Sequence, residues 1–130
     1  MSSIKWLTRE AVEVMHQEQV QEHGGLPGLP DENALEAALG RPQHKAAYGE
    51  KDIFALAAAY LYGIVRNHPF SDGNKPTGFL AAFSFLVLNG FLIEADQAQI
   101  IEFVLGVAAG EIDEEGATRF LRDFTVSYSG

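Results

Sequence analysis

The chain has 130 residues, of which 47% are apolar, a formal net charge of −9 and no cysteine. This length and composition predict a single domain, residues 1–130, with a proper hydrophobic core. The lack of cysteine excludes disulfides and thiolate metal sites, and the acidic balance argues against direct binding to nucleic acid or anionic membranes, which need basic patches.

No targeting or membrane segment is visible in the sequence. No apolar run reaches the roughly 18 residues that span a bilayer, and the residues from Met1 to Trp6 lack the apolar stretch of a signal peptide. Together with the absence of cysteine, these observations predict a cytoplasmic protein.

Apolar residues at helical spacing predict that the first part of the chain is α-helical. Thr8 is expected to cap a helix that runs to His23, and Asp31 is expected to cap a short helix that Gly40 ends. Residues 41–51 contain proline and glycine and show no clear periodicity. They are predicted to form a surface loop or a short hairpin.

Four further helices are predicted in the rest of the chain. Asp52 is expected to cap a largely buried helix over residues 53–67. Residues 74–88 are apolar nearly all round, which favours a helix at the centre of a bundle. Asp96 and Asp113 are expected to cap the last two helices.

The remaining segments carry no clear secondary-structure signal. Residues 91–93 are interpreted as a short apolar link and residues 125–130 as a frayed tail. No strand alternation competes with the helical pattern. The predicted fold is therefore all-α, a compact bundle of about six helices, with residues 41–51 as the candidate for a short flap hairpin.

The candidate chemistry is concentrated in the loop His-Pro-Phe-Ser-Asp-Gly-Asn-Lys-Pro, residues 68–76. His68 can act as a general base near neutral pH. Asp72 can bind a divalent cation or cap the next helix. Lys75 adds a positive charge at a helix N-terminus, which itself attracts anions.

Three other loop residues can support this chemistry. Gly73 permits close backbone approach, Asn74 can order the loop or bind phosphate, and Phe70 can anchor the loop in the core. Each residue alone is typical of a turn or a cap. A base, a carboxylate, a glycine and a lysine ahead of a helix N-terminus together predict phosphoryl or nucleotidyl transfer.

This loop resembles the signature of the Fic/Doc family, in which His-x-Phe-x-Asp/Glu-Gly/Ala-Asn precedes Gly or Lys and then Arg. Lys75 replaces the glycine of AMP-transferring Fic proteins, and Phe79 replaces their second arginine, so the resemblance is closest to the Doc (death-on-curing) branch. Flanking Doc motifs are resembled by Gly24–Gly28, Gly40–Tyr48 and Gly110–Ile112.

The resemblance implies an all-α fold and the toxin of a toxin-antitoxin module. Such toxins use ATP and Mg²⁺ and transfer the γ-phosphate to a threonine of elongation factor Tu, which blocks translation. An antitoxin of the prevents-host-death type neutralises them by folding its tail into a groove of the toxin.

The resemblance also implies a role for each loop residue. His68 is the base that deprotonates the target threonine, and Asp72 holds the magnesium ion. Phe70 anchors the loop. The phosphate oxygens are bound by Gly73, Asn74 and Lys75.

Pro76 departs from the motif, because both branches have arginine there. Proline is tolerated in the first turn of a helix, but it offers no charge. A lost charge-assisted contact costs about 1.5–3 kcal/mol, so an impaired or inactive chain is predicted. Selection would favour such an escape mutation in a toxin gene that is propagated without its antitoxin. In a second interpretation, Pro76 is natural and another cation replaces the arginine: Arg41, Lys45 or Arg66.

Two other functions stay open from the sequence. One is AMP transfer, which Lys75 disfavours because the family's glycine leaves room for the α-phosphate. The other is a catalytically dead module that only binds an antitoxin, in which Pro76 is natural. A metal hydrolase is disfavoured because the remaining histidines show no ligand spacing: His16, His23 and His44.

Overall fold

The computed structural model describes residues 3–129, which form six helices and two short strands. The helices are α1 (Arg9–His23), α2 (Glu32–Ala47), α3 (Ile53–Asn67), α4 (Asn74–Leu88), α5 (Gln97–Ala108) and α6 (Glu114–Asp123), and the strands are β1 (Phe91–Ile93) and β2 (Thr125–Ser127). Met1, Ser2 and Gly130, the ends of the expected N-terminal segment and tail, lie outside the described residues. None of the helices is long and apolar enough to cross a membrane.

The predicted helix starts are confirmed by their capping hydrogen bonds. Each capping side chain accepts a backbone N–H two or three residues further on, which satisfies a donor that the helix itself leaves unpaired. The five caps are Thr8, Asp31, Asp52, Asp96 and Asp113.

Helix α3 occupies the centre of the bundle, with α2, α4, α5 and α6 packed around it. Two glycines allow this packing. A Cβ on Gly63 would lie 3.0 Å from the Cβ of Ala38 in α2, and a Cβ on Gly78 would lie 2.6 Å from a methyl group of Val65. Helix α4, predicted to lie at the centre of the bundle, packs on α3 and α1, but it is not buried all round, because Phe79 and Leu80 are only partly buried.

The loop or hairpin predicted for residues 41–51 is also wrong up to Ala47. Helix α2 continues through Gly40 and Pro42 and ends at Ala47, before Gly49, which has a φ of 104°. A proline inside a helix removes one backbone hydrogen bond. Tertiary contacts compensate, because Pro42 is buried and Arg41 binds a carboxylate of α6.

The segments that were predicted to be an apolar link and a frayed tail contain β1 and β2, which pair as a two-stranded antiparallel sheet. Leu92 of β1 lies opposite Val126 of β2. The prediction of a frayed tail is therefore wrong for Thr125–Ser127, and the sheet closes the bundle against α4. A three-residue strand is too short for alternation to be visible in the sequence.

Candidate active site

The loop of residues 68–73 joins the central helix α3 to α4, and His68 is its first residue. His68 occupies the C-cap of α3 with φ 48° and ψ 58°, in the left-handed region. Among residues 3–129 it is the one non-glycine residue with positive φ. Its side chain is exposed. A left-handed conformation costs a non-glycine residue about 1–2 kcal/mol, and strained positions of this kind concentrate at functional sites.

Phe70 and Asn74 hold the loop against the core. The Phe70 side chain is 3% exposed. The Asn74 side chain accepts a hydrogen bond from the backbone N–H of Phe70 at 3.0 Å and donates one to its carbonyl at 2.9 Å. The buried Asn74 amide thus orders the loop, which is one of the two roles considered for it.

Asp72 is held through one of its two carboxylate oxygens. The backbone N–H of Leu26 donates to Oδ2 of Asp72 at 2.8 Å. No donor among residues 3–129 is bound to the other oxygen, Oδ1. Asp72 is exposed, so Oδ1 is available to a cation.

The Gly-Gly-Leu-Pro-Gly turn lies along the loop. The N–H of Ser71 donates to the Gly28 carbonyl at 2.9 Å. A Cβ on Gly25 would lie 3.0 Å from the Cβ of Asp72, and one on Gly28 would lie 2.7 Å from Oγ of Ser71. These glycines are therefore required by close approach to the loop.

His16 of α1 is a second histidine at the loop, and sequence reasoning missed this role. Its Nε2 lies 2.8 Å from the carbonyl oxygen of Asp72, and its ring stacks on the ring of Phe70 with a centroid distance of 3.8 Å. Its distance along the chain from the motif left no signal in the sequence.

The N-terminus of α4 is open to an anion. Its N-cap, Gly73, is in the left-handed region (φ 78°) and provides no side-chain cap. Within the described chain, no acceptor is bound to the backbone N–H groups of Asn74 and Lys75. Pro76 has no N–H to add. The helix dipole and the Lys75 ammonium group both favour negative charge here.

The three cations considered as replacements for the motif arginine are bound elsewhere. Arg41 and Lys45 both pair with Glu114 of α6, and the hydrogen bond with Glu114 raises the pKa of Arg41. Arg66 donates to the carbonyl of Ala108 at 2.9 Å, at the C-terminus of α5. Lys75, at the start of α4, is thus the cation that the motif itself provides beside the loop.

The donor set at the loop fits a magnesium ion that is held mainly by phosphates. Residues 3–129 contain no group of three or more His, Asp or Glu side chains that could hold a metal by themselves. Magnesium in nucleotide sites commonly uses one or two carboxylates together with substrate phosphates and water. Asp72, with one oxygen free, meets that requirement.

An apolar groove of about 380 Å³ opens beside the loop. Lys75 and Pro76 belong both to the groove and to the start of α4, so the groove reaches the anion site. The other lining residues come from α1 (Gln19, His23), α4 (Phe79, Leu80) and α5 (Gln97, Ile100, Ile101, Val104, Leu105).

Comparison with known proteins agrees with this fold and loop, which define a Fic-type domain. Residues 6–86 match the Fic/DOC family. The chain is 34% identical to the "Protein kinase doc" of Escherichia phage P1 over an alignment of 120 residues, which covers 92% of this chain and 94% of that protein. It is 41% identical over 76 residues to the "Toxin Doc" of Mycolicibacterium smegmatis (56% of this chain, 58% of that protein). The chain belongs to the Fic/DOC family, on its Doc branch.

Proposed function

We propose that this chain is a Doc-type toxin that transfers the γ-phosphate of ATP to a threonine of elongation factor Tu and so blocks translation. The observation that carries the proposal is the loop geometry. One segment carries three groups in succession: the exposed imidazole of His68, the carboxylate of Asp72 with one free oxygen, and the uncapped N-terminus of α4 with Lys75.

His68 is the base in this proposal. Its imidazole takes the proton of the target hydroxyl, and the hydroxyl oxygen forms a bond to the γ-phosphorus. The bond from the γ-phosphorus to the oxygen shared with the β-phosphate breaks, and ADP leaves with that oxygen. The exposed position of His68 at the end of α3 suits a base that must reach a protein substrate.

The anionic part of the nucleotide is held by the start of α4. Gly73, Asn74 and Lys75 offer backbone N–H groups, and Lys75 adds its ammonium group. Asp72 would hold magnesium through Oδ1, and that ion supplies neutralisation of phosphate charge when bound. Asn74 acts by keeping these groups in place.

Pro76 weakens this arrangement in two ways. It removes the charge of the family's arginine, and it removes a backbone N–H from the first turn of α4. Arginines that stabilise transferred phosphoryl groups can contribute roughly 10³–10⁵ in rate. The engagement of Arg41, Lys45 and Arg66 with other partners supports an impaired chain over a compensated one.

The groove beside the loop is proposed to bind an antitoxin of the prevents-host-death type. Ile101 and Leu105 of α5 are half exposed and provide an apolar floor for an amphipathic segment. Because Lys75 and Pro76 line the groove, a segment bound there would lie next to the phosphate site.

The experiment is incubation of the chain and elongation factor Tu with ATP labelled at either the α- or the γ-phosphate. Label from the γ-position on the factor supports the proposal, and the H68A variant must abolish it. Label from the α-position alone would establish AMP transfer instead.

A non-catalytic, antitoxin-binding module is the second candidate, and Pro76 is the observation that favours it. This candidate predicts no calorimetric signal for Mg-ATP in either the wild type or the P76R variant. Nucleotide binding by either protein that is lost in D72N contradicts it.

A further inference from the structure

We propose that His16 is a positioning residue for the catalytic loop, which fixes the backbone of Asp72 so that its free carboxylate oxygen is presented to the metal. The part of this inference that concerns the metal rests on the proposed function. The part that concerns the loop stands on the contacts of His16 alone.

The first contact is a hydrogen bond. A carbonyl oxygen only accepts, so Nε2 of His16 carries the proton and donates to the Asp72 carbonyl at 2.8 Å. The backbone N–H of Leu26 donates to the carboxylate of Asp72 at 2.8 Å. Asp72 is therefore hydrogen-bonded at its carbonyl by α1 and at its carboxylate by the turn that follows α1.

The second contact is a stack. The His16 and Phe70 rings lie 9° from parallel with centroids 3.8 Å apart, and His16 is 4% exposed. Cδ2 of His16 would also lie 3.5 Å from a Cβ placed on Gly73. One buried side chain thus contacts the loop at Phe70 and Asp72, and its ring lies where a side chain at position 73 would be.

Substitutions of His16 can distinguish positioning from simple packing, because its ring and its hydrogen-bond donor can be removed independently. H16Q keeps an N–H donor at about the reach of Nε2 but loses the ring. H16N carries the same amide one methylene shorter, so its donor falls short. H16F keeps the ring and the stack but has no donor. H44Q replaces an exposed histidine on α2 in the same way and is the matched control.

The first readout is amide hydrogen exchange of Phe70 and Ser71, whose N–H groups are bonded to Oδ1 of Asn74 and to the Gly28 carbonyl, in protein free of metal and nucleotide. We expect H16Q and H44Q to match the wild type. We expect H16N and H16F to exchange about threefold to tenfold faster at these amides, the range that one hydrogen bond supports. The second readout is magnesium-dependent ATP binding in the P76R background, where the same ranking is expected.

Protection retained in H16F but lost in both H16Q and H16N would overturn the proposal, since ring packing alone would then account for His16. Wild-type exchange in all variants would overturn it as well. If H16F does not fold, the comparison of H16Q with H16N still decides. Exchange in the predicted order without any ATP binding supports the role of His16 in ordering the loop and counts against the proposed function.

Discussion

The backbone N–H of Leu26 and the carboxylate of Asp72 are joined by a 2.8 Å hydrogen bond across 46 residues of sequence. This bond connects the Gly-Gly-Leu-Pro-Gly turn to the loop of residues 68–73 and occupies one carboxylate oxygen of Asp72, while the other stays free. The turn is therefore part of the candidate site, and its glycines are expected to matter for ligand binding as well as for folding.

Gly25 and Gly24 provide a matched pair that tests this relationship. Both have positive φ, and Gly24 (φ 82°, ψ 178°) lies in a backbone region that is essentially reserved for glycine, so alanine at either position costs roughly 1–3 kcal/mol of strain. A Cβ on Gly25 would also meet Asp72 at 3.0 Å, whereas a Cβ on Gly24 meets nothing within 4 Å. We expect G25A to weaken magnesium-dependent ATP binding about tenfold and G24A to leave it nearly unchanged, as measured by calorimetry in the P76R background. Equal affinities of the two variants would contradict the role given to the turn.

His68 combines the proposed base with a strained backbone, and the two can be separated by H68G and H68A. Both variants lack the imidazole, so we expect neither to transfer phosphate. Glycine relieves the left-handed strain at φ 48° and alanine does not. The free energy of unfolding of H68G should exceed that of H68A by about 1 kcal/mol, measured by urea unfolding. A less stable H68G would show that the strain is absent in solution.

The apolar groove can be tested from α5 with little disturbance of the core. Leu105 lines the groove and is 52% exposed, and Val14 on α1 is also 52% exposed but lies outside the groove lining. L105D places a charge where the antitoxin segment would bury apolar surface and should weaken antitoxin binding about tenfold or more. V14D is the control and should bind normally. Calorimetry with the purified antitoxin measures both, and equal loss in the two variants would move the interface elsewhere.

Tyr60 links folding stability to alkaline pH. Its hydroxyl is buried and accepts the N–H of Leu7 at 3.1 Å. Burial raises the pKa of Tyr60 above its usual value, and the Leu7 hydrogen bond opposes part of this rise. Because the pKa is raised in the folded state, the stabilisation is complete below the unfolded pKa of about 10 and is lost as pH rises through the folded value.

The Y60F variant isolates this contribution. At neutral pH it should lose about 1–2 kcal/mol, since the buried Leu7 N–H loses its acceptor. Between neutral pH and about pH 11 the wild type should lose more stability than Y60F does. Urea unfolding at both pH values measures the difference, and parallel losses in the two proteins would refute the assignment to Tyr60.

The parts of the fold that were predictable from sequence are those that depend on local interactions. Caps such as Thr8 and Asp113 act within three residues, so their positions could be predicted. The extension of α2 past Pro42 could not, because burial of that proline and the ion pair of Arg41 with Glu114 come from other elements. The pairing of β1 with β2 has the same origin, since a three-residue strand is stabilised only by its partner.

The candidate site shows the same division. The residues that would do the chemistry, His68 to Lys75, are contiguous, so the motif was visible in the sequence. The contacts that His16 and Leu26 make with Asp72 were not visible, because these residues lie 56 and 46 positions away from it along the chain. A backbone N–H, moreover, leaves no side-chain signal at all.

The most direct test of the central claim is γ-phosphate transfer to elongation factor Tu by the wild type and the P76R variant, side by side. Both use labelled ATP and magnesium, and H68A in the P76R background serves as the blank. Restored charge at the start of α4 should raise the rate at least tenfold, the effect of about 1.4 kcal/mol of transition-state stabilisation. A P76R variant no faster than the wild type would contradict the account, whether both proteins are active or both are inert.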